Sequence, residues 1–338
     1  MKIIVEANIP YMRGLLEPFG TVDYLPADAI TADAVKTANA LFVRTRTHCN
    51  RSLLDGSNVE FIATATIGTD HIDLDYCQSA GIDICNAPGC NAPAVAQYVF
   101  ATIGRFLSGR SPEGIAIGVV GVGNVGSIVA RWGERLGMHV LRCDPPRQKR
   151  EQSATFVALE AIAREAEIIT FHTPLTKAGE NPTWHLADEN FLNKLGTCRL
   201  LLNSARGGVV DNGALSRFLD RSQMKAAIDC WENEPNINRE LLDKTFVATP
   251  HIAGYSAEGK ARATAMALAG FERHFGVTIP NKPIVSAPPK GADINSIEEV
   301  IASYNPLIDT ACLKASPSTF ELQRNNYKLR HETSNTQC

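Results

Sequence analysis

The sequence predicts an α/β fold: two doubly wound parallel sheets, the second interrupting the first, and a small C-terminal region. Three observations carry that expectation. Short runs rich in Ile, Val and Phe alternate with helix-period stretches along most of the chain, the pattern of parallel strands covered on both faces. An apolar run at residues 115–120 leads into G-x-G-x-x-G at Gly121, Gly123 and Gly126, and then into a stretch of helical periodicity. A second long helix-period stretch, residues 256–275, follows the last central strand and is placed to run back to the first lobe.

In chain order, runs at 2–7, 21–25, 40–45, 61–66 and 83–87 are the expected strands of the first lobe, with DAVKTANA and LDYCQSA as helical stretches between them. Asn86-Ala-Pro-Gly-Cys90 is a turn, and residues 92–107 form a long helix into the second sheet. Its strands are expected at 115–120, 140–143, 168–172, 200–205, 226–230 and 246–249, and its helices at 157–166, 185–195 and 211–221. Pro145-Pro146 turns the chain out of its strand. The expected boundaries are 1–95 with 257–280 for the first lobe, 96–256 for the second, and 281–338 for the C-terminal region. That region opens on NKPIVSAPPKGADIN, punctuated by Pro and Gly. It continues through the helix-like SIEEVIASY and closes on the polar FELQRNNYKLRHETSNTQC, whose last eight residues are expected to be disordered.

Residues 115–144 read as strand, tight turn, helix, strand, acid. Gly121 permits the turn, Gly123 lets the backbone approach a pyrophosphate, and Gly126 lets the helix pack on the strand. The helix opens at Asn124 and Val125, and its free N–H groups face the phosphates. Asp144 lies eighteen residues after Gly126, where a carboxylate receives the ribose hydroxyls of NAD. It would repel the 2′-phosphate of NADP, although Arg142 and Arg147 stand close enough to accept one. The expected cofactor is NAD, and the expected architecture is a Rossmann domain inserted in a flavodoxin-like substrate lobe.

Three further residues sit just past strands of the same sheet: Arg206 after LLLNSA, Glu234 in DCWENEP, and His251 after Thr249-Pro250. A guanidinium makes two charge-assisted bonds to a carboxylate. A histidine takes a hydroxyl proton near neutral pH, and a carboxylate beside it favours the imidazolium. With NAD these parts suit oxidation of a 2-hydroxy acid. Each also has a plainer reading, as a surface ion pair, turn chemistry or a structural histidine. In the first lobe, Arg44-Thr45-Arg46, Thr64-Ala65-Thr66 and Gly68-Thr69-Asp70 stand at strand ends, where ligands collect in open parallel sheets. Strand capping explains their threonines equally well.

The stretches GTDHID, GVVGVGNVG, FHTPLT, LLNSARGGVVD and ATPHIAGYSAEGK resemble the D-isomer-specific 2-hydroxyacid dehydrogenases, over nearly all of residues 40–275. The resemblance implies that Arg206, Glu234 and His251 are catalytic, with His251 handling the proton. It also implies that Asp144, Thr173, Ser204, Ala205, Arg206, Asp229 and Gly254 contact NAD, and that Thr45, Thr66 and Tyr255 contact substrate. NAPGCNAPAVAQYV, LRCDPPR, DCWENEP and HIAGYSAEGKARAT look closest to the branch acting on 4-phospho-D-erythronate in the making of pyridoxal phosphate. FELQRNNYKLRHE looks like part of that branch's C-terminal dimerisation domain, here shortened. A homodimer is therefore expected, built largely from the nucleotide domain with the tail as an accessory. The other readings are an enzyme of the 3-phosphoglycerate or glyoxylate/hydroxypyruvate type, and a non-enzymatic, NAD-dependent corepressor-like module.

Bulk composition agrees with a soluble globular protein and argues against other classes. In 338 residues, 44% are hydrophobic and 20% charged, and a net charge of −3 gives no reason to expect nucleic acid or a membrane surface as partner. No apolar run reaches the roughly 18 residues of a membrane span. The start lacks a signal peptide's apolar core. Nine cysteines without a C-x-x-C pair read as reduced thiols in a cytosolic protein, with no metal expected.

Overall fold

Two fully parallel sheets organise the computed structural model, which describes residues 1–283 and 294–333. The chain divides into two units, Met1–Asn91 with Ala257–Lys290, and Ala92–Ser256 with Gly291–Cys338.

The first unit holds β1 (Lys2–Glu6), β2 (Thr21–Leu25), β3 (Ala40–Val43), β4 (Phe61–Thr64) and β5 (Asp83–Cys85), in the order β2-β1-β3-β4-β5. This is the flavodoxin-type order. Both faces are covered, so these strands read as continuous apolar runs rather than as alternation. The helix Ala257–Phe275 belongs to this unit, and its Phe271 meets Phe42 and Phe61 with ring centroids 5.7 and 6.1 Å apart. Thr264 on the same helix donates to the Pro10 carbonyl at 2.8 Å.

The second unit holds β6 (Ala116–Val120), β7 (His139–Cys143), β8 (Ile168–Phe171), β9 (Leu200–Asn203), β10 (Lys225–Ile228) and β11 (Val247–Ala248). Their order is β11-β10-β9-β8-β6-β7, and Phe156 adds a parallel bridge to Arg142 outside β7. The chain thus moves outward from β6 to β7 and Phe156, then returns to the other side of β6 at β8. That reversal opens a crevice at the carboxyl ends of β6 and β8, the switch point at which doubly wound sheets bind ligands.

The C-terminal segment packs into the second unit. Ile294, Ile297, Val300 and Tyr304 join the core that contains Tyr98, Val99 and Trp132, while Leu313 and Phe320 enter the core on the other face of the sheet. Eight of the eleven expected strands overran their carboxyl ends by one or two residues, as at 61–66 against Phe61–Thr64 and 200–205 against Leu200–Asn203. There small and polar residues follow the apolar run, and the backbone has already left the ladder. Five helices were not foreseen: Arg51–Leu54, Pro145–Glu151, Arg239–Lys244, Pro306–Ala315 and Phe320–Asn325. Pro145 does end β7, but behind an Asp144 N-cap it also starts a helix, the position where its fixed φ is favourable.

Residues 284–293 of the Pro/Gly-punctuated stretch, and 334–338 of the segment expected to be disordered, lie outside the described residues. Residues 331–333 are described and depart from that expectation. The His331 carbonyl accepts from Gln97 Nε2 at 3.0 Å, and Glu332 accepts from Ser256 Oγ at 2.7 Å.

Candidate active site

Six parallel strands place their carboxyl ends along one edge of the second sheet, and the candidate residues follow in spatial order. Asp144 follows β7, the glycine turn follows β6, Thr173 follows β8, residues 204–206 follow β9, Asp229 and Glu234 follow β10, and His251 follows β11. At about 4.8 Å per strand the row spans about 24 Å. One half of it is built of glycines and backbone N–H groups, the other of charged side chains.

In the first half, Gly121 takes φ +86°, and a Cβ there would stand 2.8 Å from the His172 carbonyl carbon and the Thr173 nitrogen. A Cβ on Gly126 would collide with the Gly121 carbonyl oxygen. Gly123 N-caps the helix Asn124–Arg135 with no side chain across its N-terminus, and the space over it is open. Asp144 uses both carboxylate oxygens on backbone: Oδ2 accepts from Val122 N at 2.8 Å and Oδ1 from Arg147 N at 2.9 Å. The two arginines able to accept a 2′-phosphate are otherwise engaged. Arg142 pairs with Glu134 at 2.6 Å, and Arg147 Nη1 donates to the Val122 carbonyl at 2.6 Å while Nε meets Glu151 at 2.7 Å.

Thr173 Oγ1 and Ser204 Oγ are buried hydroxyls with no hydrogen-bond partner. Buried polar atoms are seldom left so. Both lie at the switch point and its neighbouring strand, which fits a bound dinucleotide supplying the missing partners. The narrow glycine cradle, the uncapped helix N-terminus and the acid after β7 fit the same group.

In the second half, His251 Nδ1 faces Glu234, 2.9 Å from Oε2 and 3.1 Å from Oε1. The Trp231 N–H donates to Glu234 Oε1 at 2.8 Å. Two residues away, Glu232 and Asn212 exchange bonds, Asn212 N to Oε2 at 2.9 Å and Glu232 N to Oδ1 at 3.2 Å, and His185 Nε2 lies 2.7 Å from Glu232 Oε1. This network pins the loop that carries Glu234. His251 sits at φ +56°, a region that residues other than Gly enter uncommonly. Asp229 holds it there: its carbonyl accepts from His251 N at 3.0 Å, and its Oδ1 accepts from Ile252 N at 2.7 Å, Ala253 N at 3.0 Å and Thr249 Oγ1 at 2.7 Å.

Burial works against an imidazolium at His251, but the Cys230 sulfur and the Glu234 carboxylate more than offset it and hold its pKa well above 6.5. Burial pushes the Cys230 thiol up, so it is neutral near pH 7 and Glu234 is the anion that acts. Burial likewise raises Asp229. Burial also raises Glu234, yet His251, the Trp231 N–H and Arg324 outweigh it and keep the carboxyl below its ordinary range.

Arg206 leaves β9 through a turn built by Asn203. The Asn203 amide donates to the Arg206 carbonyl at 2.9 Å and accepts from Ala205 N at 3.1 Å. Arg206 Nη1 donates to the Ala205 carbonyl at 2.9 Å. Gly254 is half-buried in the loop after His251, and Tyr255 Oη accepts from Arg324 Nε at 3.2 Å. Sequence reasoning missed Asn203, Trp231, Arg324 and Arg330, because each acts through a backbone or tertiary contact that leaves no spacing to read.

In the first unit, Thr45 is exposed after β3. Thr66 Oγ1 donates to the Gly68 carbonyl at 3.1 Å and lies 2.7 Å from Thr64 Oγ1, which also contacts His71 Nε2 at 3.1 Å. Burial lowers the His71 pKa to about 4, so this network is neutral. Arg44 N and Thr47 Oγ1 both donate to Glu6 Oε2, which is buried at the end of β1.

A glycine cradle at the switch point and a histidine–carboxylate pair on the same sheet edge define a nucleotide-dependent dehydrogenase of hydroxy acids. Residues 96–253 match the family described as D-isomer specific 2-hydroxyacid dehydrogenase, NAD binding domain, so the second unit carries an NAD-binding domain. The chain is 46% identical to an erythronate-4-phosphate dehydrogenase of Bacteroides thetaiotaomicron over 98% of its own length and 97% of that protein's. It is 40% identical to one of Cronobacter sakazakii over 100% of its own length and 94% of that protein's. The chain belongs to the erythronate-4-phosphate dehydrogenase family. Among solved structures, the TT0316 protein of Thermus thermophilus is similar at 25% identity and TM-score 0.68, covering 84% of this chain and 100% of that one. A D-lactate dehydrogenase from Aquifex aeolicus complexed with NAD and lactic acid shares the fold at 24% identity and TM-score 0.68, over 82% and 96%.

Proposed function

We propose that this chain oxidises 4-phospho-D-erythronate to 2-oxo-3-hydroxy-4-phosphobutanoate with NAD, a step in making pyridoxal phosphate. The observation that carries the reading is the His251–Glu234 pair, 2.9 Å apart on the sheet edge that also holds the dinucleotide cradle. Gly121, Gly123, Asn124, Val125 and Gly126 hold the pyrophosphate, Asp144 the adenosine ribose, and Thr173, Ser204, Ala205, Asp229 and Gly254 the remainder. NAD supplies the hydride acceptor when bound.

Arg206 holds the substrate carboxylate, and Thr45, Thr66 and Tyr255 contact the rest of the molecule. With Nδ1 turned to Glu234, Nε2 of His251 is the nitrogen that takes the proton of the 2-hydroxyl. Glu234 fixes the ring's orientation and stabilises the imidazolium that results. In reduction the same imidazolium returns the proton.

We further read the protein as a cytoplasmic homodimer. Among the described residues no helix is long and apolar enough to cross a membrane, and no two cysteines form a disulfide. Ile308 and Leu322, 63% and 58% exposed, offer apolar surface to a second chain. The test is a panel of 2-hydroxy acids, with and without a 4-phosphate, assayed with NAD and NADP in both directions. Preferred turnover of 4-phosphoerythronate with NAD is expected. Preference for 3-phosphoglycerate or glyoxylate, or no turnover of any acid, overturns the substrate assignment.

A further inference from the structure

Outside the residues assigned above, one charged side chain reaches the acid–base pair from the far end of the chain. Arg324 lies on the helix Phe320–Asn325, and its side chain is 17% exposed. Nε donates to Tyr255 Oη at 3.2 Å, and Nη1 lies 3.9 Å from Glu234 Oε2 and 3.7 Å from Glu321 Oε1. The 3.9 Å approach is an ion contact, longer than a hydrogen bond. Glu234 Oε2 is also the oxygen nearer to His251. We propose that Arg324 is a positioning residue for the reaction: it shares the Glu234 carboxylate with His251, orients the Tyr255 hydroxyl, and so makes the C-terminal segment part of the active site. The proposal rests on the acid–base reading of His251 and Glu234 given above.

The geometry assigns it a definite electrostatic task. A carboxylate facing only an imidazolium would stabilise the charged ring without restraint, and oxidation needs the neutral ring. A guanidinium on the same carboxylate opposes the imidazolium's charge and returns the histidine toward the range where both forms exist. The other charged or titratable groups facing the pair are Cys230 and Asp229 after β10 and Tyr255 beyond β11, with Glu321 beside Arg324 on its own helix. Cys230 and Asp229 are buried and shifted toward their neutral forms. Glu234 and Arg324, with the Asp229 carboxylate held by the loop's own N–H groups, set the field at His251.

The test uses full-length Arg324→Gln and Arg324→Lys, with Arg324→Met as a second neutral variant should Gln fail to fold. His251 is titrated by NMR of its ring, assigned with His251→Asn, and pH profiles are recorded for both directions of turnover. Removing the cation should move the His251 titration upward by roughly 0.5–1 unit, less than the 1–3 units of a charge in direct contact, because Arg324 acts across Glu234. The rising limb of oxidation should move by the same amount, so that oxidation below the limb slows by about 3–10-fold while KM changes little. The Lys variant should keep the parent's titration. An unmoved titration in the neutral variants overturns the proposal, as does a rise in KM with an unmoved pH profile, which would make Arg324 a plain binding residue. Because the NMR titration needs no substrate, a parent that fails to oxidise 4-phosphoerythronate refutes the substrate reading and still leaves the Arg324 proposal decided.

Discussion

Arg330 offers the sharpest stability prediction in the molecule. A guanidinium has five N–H donors, and in this fold every nitrogen of Arg330 finds an acceptor. Nε donates to Gln97 Oε1 at 3.0 Å, and Nη1 to the Ile252 and Tyr255 carbonyls, both at 3.0 Å. Nη2 donates to the Ala94 carbonyl at 3.1 Å and to the Ala253 carbonyl. The Tyr304 ring lies 4.3 Å from the guanidinium carbon, and the residue is 9% exposed. Replacing Arg330 with Met keeps most of the stem and removes every donor.

Each charge-assisted bond is worth about 1.5–3 kcal/mol in isolation. They are not additive, and the carbonyls can find other partners, so about 3–5 kcal/mol in total is the expected cost, the range for breaking a buried charged network. At roughly 2–4 °C per kcal/mol for a chain of this size, Tm should fall by roughly 6–20 °C. Arg330→Lys should recover little, since three donors on a point charge cannot match a planar fork. The Ile252, Ala253 and Tyr255 carbonyls all belong to the loop after His251, so kcat should drop as that loop loosens. Urea unfolding of parent and variants, with kcat on the same preparations, measures both. A Met variant within about 1 kcal/mol of the parent would refute the reasoning, because surface changes alone give effects that small.

Three other outcomes follow from the site. Oxidation requires neutral His251 and should rise with pH through its raised pKa, while reduction should fall. Glu234→Gln removes the anion and moves both limbs to lower pH, and His251→Asn slows both directions by roughly 10²–10⁴-fold with NAD affinity nearly intact, as pH profiles and NAD titrations will show. Asp144→Ala loses two ribose bonds of about 1.5–3 kcal/mol each at most and an N-cap worth about 1 kcal/mol, so calorimetry should find NAD binding weakened far more than NADP binding, with a small fall in Tm. Ser204→Ala removes a buried hydroxyl that has no partner in the free protein; thermal melts should show stability unchanged or slightly raised, while NAD titration shows weaker binding.

The fold was legible where local chemistry and tertiary structure agree. Each strand of both sheets announces itself as an apolar run, and residues 121–126 with Asp144 spell out a turn whose glycines the packing does require, as the collision of a Gly126 Cβ with Gly121 shows. The pairing of His251 with Glu234 was legible from chemistry and topology, because residues that follow neighbouring parallel strands must emerge at one edge. Other features were hidden for physical reasons. The sequence marks Glu234 as turn-like and says nothing of Trp231 donating to its carboxylate, which depends on the loop's backbone path. Pro145 reads as a stop signal and becomes a start only because Asp144 supplies the cap. The polar composition of residues 320–333 suggests an accessory tail, yet two of its arginines are among the most fully engaged side chains of the second unit. Composition counts charges, and burial depends on whether acceptors wait for them.

The contacts of Arg330 also bear on when during synthesis this protein becomes an enzyme. The strands, the glycine turn and the loop bearing His251 are all translated well before the segment that secures Ile252–Tyr255. A nascent chain can therefore build its sheets in order, domain first, while the loop that carries His251 still lacks its fastening. That fastening waits for Arg330. A chain without it would keep its nucleotide cradle in place while the loop bearing His251 stayed loose.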